Sequence, residues 1–264
     1  MFKGLIIDLD GVITKDKNLN IFDEAPEFIK FLMEKGIKFC IATNNSMYTP
    51  EQIIDILKKQ NVFLKEDEIL TPLVVLPDYL EKEKIKDLFV IGNENLKNFL
   101  KDKGFIIKED HHVGAVIVGI DKNITFEKLK IAVSALKLNN AKVLSLNANL
   151  IVKDDDNLYF PGVGCIGQMI ACSTKKEWNH LGKNSAPYNE LLLAKFKNIS
   201  PNQIAVLSDD IFTDLIPFSK LGIKTIFITT GKYKLEDLPD NFKPDIIANS
   251  LKEVKHKIEN FEKN

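Results

Sequence analysis

The chain of 264 residues is 45% hydrophobic and carries 36 basic against 37 acidic side chains, enough apolar material for one large α/β domain or two, and too little net charge to draw it to nucleic acid or an anionic membrane. Every basic side chain is a lysine, so a bound phosphate has to be held by lysine, backbone N–H groups and small polar side chains, with no guanidinium fork. Cys40, Cys165 and Cys172 form no CxxC pair, no apolar run approaches the ~20 residues of a membrane span, and Met-Phe-Lys-Gly runs straight into the first apolar segment, so the expectation is a cytoplasmic protein without disulfides.

Leu5-Ile6-Ile7 reads as a strand buried on both faces, and it stops at Asp8, Asp10 and Gly11. The two carboxylates suit a nucleophile, an acid/base or hard-cation ligands; a polar strand end turning at Asp10-Gly11 is the plainer alternative. Two residues apart, they point to one face of a regular strand, and both reach one phosphate if the chain leaves the sheet near Gly11. The stretch to Asp23 is polar and turn-like. Ala25–Lys35 follows a helical period through Phe28, Ile29, Leu32 and Met33 and ends at Gly36. Ile37–Ala42 is a second strand, ending in Thr43-Asn44-Asn45-Ser46. Thr49 as N-cap, Pro50 at the first helical position and Gln52 two residues later start a helix that runs to Gln60.

From Asp78 lysine and glutamate crowd the chain through Glu81–Asp87, a solvated helix end and junction, and a new βα series begins. Its strands are expected at Leu88–Ile91, Ala115–Val118 and Val143–Leu146, and its helices at Leu96–Lys103 and Phe126–Leu138, the latter apolar at 126, 129, 132, 133 and 136. Asp154-Asp155-Asp156 lacks the spacing of a calcium loop and reads as a solvated hairpin tip. His111-His112 and the pair Cys165/Cys172 are read as a loop and as helix packing, not as a transition-metal site.

After Leu181 the first pattern resumes. The polar loop Gly182–Pro187 leads into a helix over Tyr188–Lys197, and the strand Ile204–Leu207 ends in Ser208-Asp209-Asp210-Ile211-Phe212-Thr213-Asp214. Pro217 fits the first turn of the next helix, with Asp214 at or just before its start. Strands Thr225–Ile228 and Ile246–Ala248 and a helix from Leu251 complete the chain. The fold class is α/β: a parallel-sheet domain from 1–80 and 182–264, interrupted by a second α/β domain over 81–181.

In a parallel sheet all strand C-termini lie along one edge, so Asp8/Asp10, Thr43/Asn44/Asn45, Lys183 and Asp209/Asp214 can converge. Carboxylates for a divalent cation, one lysine and hydroxyl and amide donors form the inventory of phosphoryl transfer. The glycine and proline neighbours of Lys183, and its place at a helix entry, favour that role over a surface lysine.

Asp8-Leu-Asp10-Gly-Val12, Thr43-Asn-Asn45, Lys183 in Gly-Lys-Asn-Ser-Ala-Pro and Asp209-x-x-x-Thr213-Asp214 resemble motifs I to IV of the haloacid dehalogenase superfamily. The likeness is to subfamily IIA, the NagD-type and 4-nitrophenyl phosphatases, with a large cap inserted between motifs II and III; Asn147 and Phe160-Pro-Gly-Val-Gly-Cys-Ile166 match the cap pattern. The resemblance implies a Rossmann-like core with a C2-type cap and a Mg²⁺-dependent phosphatase acting on a small phosphorylated metabolite. It implies Asp8 as nucleophile forming an aspartyl-phosphate and Asp10 as general acid and base. Thr43, Asn44, Asn45 and Lys183 then bind the phosphoryl group. Mg²⁺ is held by Asp8, the backbone carbonyl of Asp10 and Asp209, with Asp214 in support. Asn147, Asn149, Gly162 and Gly164 fall in the cap as specificity residues, and a homodimer through the cap is a further implication.

Three departures stand out. Ser208 replaces a motif IV glycine, Asn149 replaces a cap acid, and arginine is absent. A catalytically impaired phospho-ligand-binding relative and a phosphotransferase working through the same aspartyl-phosphate are the alternatives.

Overall fold

The structure is a computed structural model that describes residues 2–153 and 156–261. In chain order the strands are β1 (Gly4–Asp8), β2 (Lys38–Ala42), β3 (Ile69–Leu70), β4 (Asp87–Ile91), β5 (Ile106–Ile107), β6 (Ala115–Val118), β7 (Lys142–Ser145), β8 (Ile151–Lys153), β9 (Tyr159–Pro161), β10 (Trp178–His180), β11 (Ile204–Ser208), β12 (Lys224–Ile228) and β13 (Ile246–Ala248). The helices are α1 (Ala25–Glu34), α2 (Pro50–Lys58), α3 (Pro72–Lys82), α4 (Glu94–Asp102), α5 (Phe126–Leu138), α6 (Val163–Thr174), α7 (Ala186–Ala194), α8 (Ile216–Ser219) and α9 (Leu251–Phe261). The chain divides into two compact units. One holds the residues up to Thr43, Pro50–Leu70 and the chain from Asn189; the other holds Asn44–Thr49 and Thr71–Tyr188. The expected insertion, 81–181, falls inside the second unit, which begins earlier and ends later.

The first unit is built on a parallel sheet in the order β13-β12-β11-β1-β2-β3. Leu5 and Ile7 are fully buried, as a strand flanked by two neighbours and covered on both faces requires. From β1 the chain steps outward through β2 and β3 on one side and returns to lay β11, β12 and β13 on the other. The strand order therefore reverses between β1 and β11, where Ile7 pairs with Leu207. Asp8 and Ser208-Asp209 end these two neighbours, at the crevice where open α/β sheets hold ligands.

Several expectations change in this unit. The chain leaves the sheet at Leu9, earlier than Gly11, because the Leu9 carbonyl accepts the N–H groups of Ile13 and Thr14 at 2.9 Å each. The stretch after it is not merely polar: Val12, Ile13 and Leu19 are fully buried anchors, and Thr14 bridges to both Asp10 and Ile21. In α1 the buried face is Ala25, Phe28, Ile29, Phe31 and Leu32, and Met33 turns to solvent. Pro217 does enter the first turn of α8, and a turn of π-helix over Ile211–Leu215 carries Asp214 just before it.

The second unit holds a parallel sheet in the order β10-β7-β6-β4-β5 and the antiparallel hairpin β8-β9. Of the three aspartates expected at the hairpin tip, Asp154 and Asp155 lie outside the described residues. Helix α3 was not foreseen, although Thr71 caps it by accepting from Leu73 N–H at 3.1 Å and Pro72 opens it. Pro77 inside it mimics a break. Phe126, expected on the apolar face of α5, is exposed; Ala132 and Leu136 are buried on it as expected, and Ala135 joins them. The strands β3, β5 and β10 were too short to leave a periodic signal. No described helix is long and apolar enough to cross a membrane.

In β10 the Trp178 ring stacks on His180 at a centroid distance of 5.4 Å, and the buried His180 Nδ1 has no partner among the described residues. Burial holds the imidazole below its ordinary value of 6.5. The unfolded chain therefore takes up a proton that the folded chain refuses as pH falls below 6.5, and stability falls with it. His180→Gln should flatten that acid-side loss in urea titrations run on both sides of this pH. An unchanged slope would remove His180 as its source.

Candidate active site

At the reversal between β1 and β11 the side chains are set by one buried serine. Ser208, fully buried, donates its hydroxyl proton to Asp214 Oδ2 at 2.7 Å and accepts from Asp210 N–H at 3.0 Å. Asp8 Oδ2 lies 3.4 Å from the same oxygen. A hydroxyl has one proton, and the shorter contact places it on Asp214. Ser208, which occupies the place of the motif glycine, thus ties the strand end to the turn that follows. Ser208→Ala removes the acceptor of the Asp210 N–H and a donor to the buried Asp214 carboxylate, and should lower unfolding stability by about 2 kcal/mol in metal-free urea titrations. A loss no larger than that of a solvent-facing Ser→Ala control would contradict the contact pattern.

Asp8 is buried, and its Oδ1 accepts the Leu9 N–H at 2.8 Å. Asp10 is exposed. The Thr43 hydroxyl donates to its Oδ2 at 3.4 Å, and Thr14 Oγ1 stands 3.4 Å from its Oδ1 while giving its proton to the nearer Leu9 carbonyl at 3.2 Å. One carboxylate is thus fixed inside the strand end while the other faces solvent, the environments wanted for a nucleophile and for a group that exchanges protons.

Asp209 is boxed in. Its Oδ2 accepts from Lys232 N–H at 2.5 Å, and a Cβ placed on either Gly11 or Gly231 would overlap its carboxylate. Gly11 lies at φ +81°, a left-handed conformation that any other residue would strain. Thr230 Oγ1 donates to the Gly11 carbonyl at 2.5 Å and locks the two loops together. Beside it, Asp210 caps the π-turn by accepting from Phe212 and Thr213 N–H and pairs with Lys232 Nζ at 3.1 Å.

Among the described residues no three His, Cys, Asp or Glu side chains form a ready metal cage. Magnesium does not require one: it takes one or two carboxylates and completes its shell with water, backbone and phosphate oxygens. Asp8, Asp209 and Asp214 are carboxylates buried at one sheet edge. Ionised together they need compensating positive charge. A hard divalent cation fits this donor set.

The remaining predicted residues gather in the second unit. Asn44 Oδ1 accepts the Lys183 N–H at 2.8 Å, and Asn147 Nδ2 donates to the Asn44 carbonyl at 3.4 Å. Asn147 Oδ1 accepts Asn149 N–H at 3.1 Å, and Gly162 and Gly164 pack so closely on residues 148–150 that a Cβ on either would strike that backbone. One connected run thus joins Lys183, Asn44, Asn147, Asn149 and the start of α6. Asn45 Oδ1 is spent on the loop itself, accepting from Met47 and Tyr48 N–H. The structure places Asn44, Asn45 and Lys183 in this unit, and Asp8, Asp10, Thr43, Asp209 and Asp214 in the other.

Two features escaped the sequence reading. Ser46 Oγ is buried with no partner among the described residues, a state that costs about 1–3 kcal/mol unless a ligand satisfies it. The other is the loop Thr229-Thr230-Gly231 between the last two strands of the first unit, which holds Gly11 and Asp209. Both were within reach, since each belongs to a polar cluster at a strand end, the rule that flagged the other clusters.

Comparison with known proteins gives a consistent result. A haloacid dehalogenase-like hydrolase family model matches residues 5–106, and a HAD-hydrolase-like one matches residues 180–254. An acid sugar phosphatase of Staphylococcus aureus (strain USA300) is 30% identical over 263 residues, covering 99% of each chain. The structure superposes on a p-nitrophenyl phosphatase from Archaeoglobus fulgidus with a TM-score of 0.85 at 28% identity, covering 97% of this chain and 99% of that one. A 4-nitrophenylphosphatase from Thermotoga maritima gives 0.83 at 25% identity, with 97% of each chain covered.

Proposed function

We propose, from the premise that this chain belongs to the haloacid dehalogenase-like hydrolases and is a phosphoric monoester hydrolase, that Asp8 and Asp10 carry its chemistry on small phosphorylated metabolites. The observation that supports this most is the placement of Asp8 and Asp209 at the ends of the two adjacent strands where the sheet order reverses.

A carboxylate oxygen of Asp8 attacks phosphorus, the bond from phosphorus to the leaving oxygen breaks, and Asp10 gives that oxygen its proton. The products of this half are an alcohol and an aspartyl-phosphate on Asp8. Water then attacks phosphorus while Asp10 takes its proton, which frees phosphate and restores the Asp8 carboxylate. The hydroxyl bond from Thr43 holds Asp10 in place. Thr43, Asn44, Asn45 and Lys183 bind the phosphoryl oxygens, and the orphaned Ser46 hydroxyl joins them. Asp8, the Asp10 carbonyl and Asp209, with Asp214 in support, would hold a magnesium ion, which when bound would supply positive charge against those oxygens. The second unit acts as a cap that selects the leaving group through Asn147, Asn149, Gly162 and Gly164. The names of the relatives, acid sugar phosphatase and nitrophenyl phosphatases, support sugar phosphates as the substrate class.

The test is a phosphatase screen over a metabolite panel with and without Mg²⁺, using Asp8→Asn as the blank. Mg²⁺-dependent release of phosphate from sugar phosphates, absent in the blank, is the expected result. Phosphate release that is unchanged by chelation, or equal in the blank, would overturn the assignment.

A further inference from the structure

The strand β10 lies at the edge of its sheet, pairs with β7 alone and spans only Trp178–His180. A short edge strand is among the parts of a sheet that open most readily. This one is tied down around Ser145, the residue paired with His180. The Ser145 carbonyl accepts the Leu181 N–H at 2.9 Å. Its hydroxyl accepts from the Trp178 indole at 2.8 Å and donates to the Val163 carbonyl, at the start of α6, at 3.3 Å. Gly167 of α6 makes room for this, since a Cβ there would overlap both the Ser145 hydroxyl and the indole nitrogen. Two residues past His180 the chain is clamped again. A Cβ on Gly182 would overlap Asn44 Oδ1, the atom that accepts the Lys183 N–H.

His180 sits between these anchors with its ring stacked on Trp178. Protonation puts an N–H on both nitrogens of an imidazole. The buried Nδ1 has no partner among the described residues, so it would become a charged donor without an acceptor. The elements packed around the ring do not offset that charge. On β7 the charged residue is Lys142, which is committed to Glu83 at 2.7 Å. The titratable groups of α6 are Cys165 and Cys172. Lys175, Lys176 and Glu177 precede the strand and Lys183 follows it. Burial is the cause of the ring's reluctance to take a proton.

We propose that His180 is a proton-operated latch on the loop that carries Lys183. With the imidazole neutral, β10 is seated on β7 and the Lys183 N–H stays on Asn44. A proton from solvent drives the ring out of its stack, the strand leaves β7, and Leu181–Lys183 are freed. Loss of the proton reseats them. The latch belongs to the second unit alone; only its effect on turnover rests on the reading of Lys183 as a phosphoryl-binding residue.

Trp178 is the one tryptophan of the chain, so its emission reports the stack directly. A titration between pH about 5 and 8 should show an emission transition in the wild type, with a midpoint below 6.5. His180→Gln should show none, and neither should His180→Phe, which keeps a ring against Trp178. Hydrogen exchange, corrected for the intrinsic pH dependence of amides, locates the opening. Protection at Leu181 and Lys183 should fall by up to about tenfold for each pH unit below 6.5, with β1 and β11 unchanged and both variants flat. No transition, one that survives in both variants, or one without lost protection at Leu181 and Lys183 would overturn the latch. Equal losses in β1 and β11 would mean global unfolding and overturn it as well. The KM for 4-nitrophenyl phosphate then separates the two readings. A rise on acidification that both variants lack is the expected result. The latch transitions without that rise would leave the latch standing and remove Lys183 from phosphoryl binding.

Discussion

Asp8→Asn is expected to reduce turnover by about three orders of magnitude or more while leaving the fold intact. An amide cannot attack phosphorus, yet it fills the space of the carboxylate. The Asn oxygen can keep the bond from Leu9 N–H that Asp8 Oδ1 accepts at 2.8 Å. Its NH₂ would stand at the Oδ2 position, 3.4 Å from Ser208 Oγ, an oxygen with a lone pair still available after accepting from Asp210 N–H. The substitution also removes one of the carboxylates buried at this sheet edge, so the repulsion among those that remain falls. Thermal melts in metal-free buffer should therefore show a Tm equal to or above that of the wild type. More than a few per cent residual activity in a preparation free of contaminating phosphatase would take the nucleophile's role from Asp8. A large drop in Tm would show instead that the carboxylate is needed for folding, and the lost activity would then say nothing about chemistry.

The sheet of the first unit was legible because β1, β2, β11 and β12 are apolar runs of near-constant length that stop in polar clusters. Two faces of a covered parallel sheet impose such runs, and the ends that must meet water or ligand cannot be apolar. The nucleophile candidate could therefore be named from Leu5–Asp10 alone as one of a few options, and the family resemblance then chose among them. The rest depended on contacts between residues far apart in sequence. That Ser208 would bridge Asp214 and stand beside Asp8, 200 residues away, follows from the pairing of β1 with β11. Motif spacing alone does not contain it. The membership of Asn44 and Lys183 in the second unit has the same origin, since the bond between them joins positions 139 residues apart. Helix α3 carries a proline in its interior, which weakens the local helical signal, and tertiary packing of Leu73, Val75, Leu76 and Leu80 holds the helix.

Gly231→Ala is expected to weaken Mg²⁺ binding by about 10- to 100-fold, the range found when groups that support a metal ligand are altered. The glycine has no part in the chemistry, so the effect has to pass through Asp209. A methyl group at position 231 would overlap the Asp209 carboxylate, and the usual escape of a flexible side chain is closed here. Rotation away from Gly231 forfeits the bond from Lys232 N–H to Oδ2. Rotation toward the other wall meets Gly11, where the Cα is already close enough that a Cβ would strike the same carboxylate. The backbone cannot easily yield either, because Thr230 beside it is bonded to the Gly11 carbonyl. Calorimetric titration with Mg²⁺ reads the effect without turnover, and Asp209→Asn serves as the reference, since it keeps the shape of the side chain and removes its charge. Both variants should lose affinity, with the activity of Gly231→Ala restored in part by raising Mg²⁺. An unchanged Mg²⁺ affinity in Gly231→Ala with Asp209→Asn impaired would show that the carboxylate escapes the overlap. Unchanged affinity in both would remove Asp209 from the metal site.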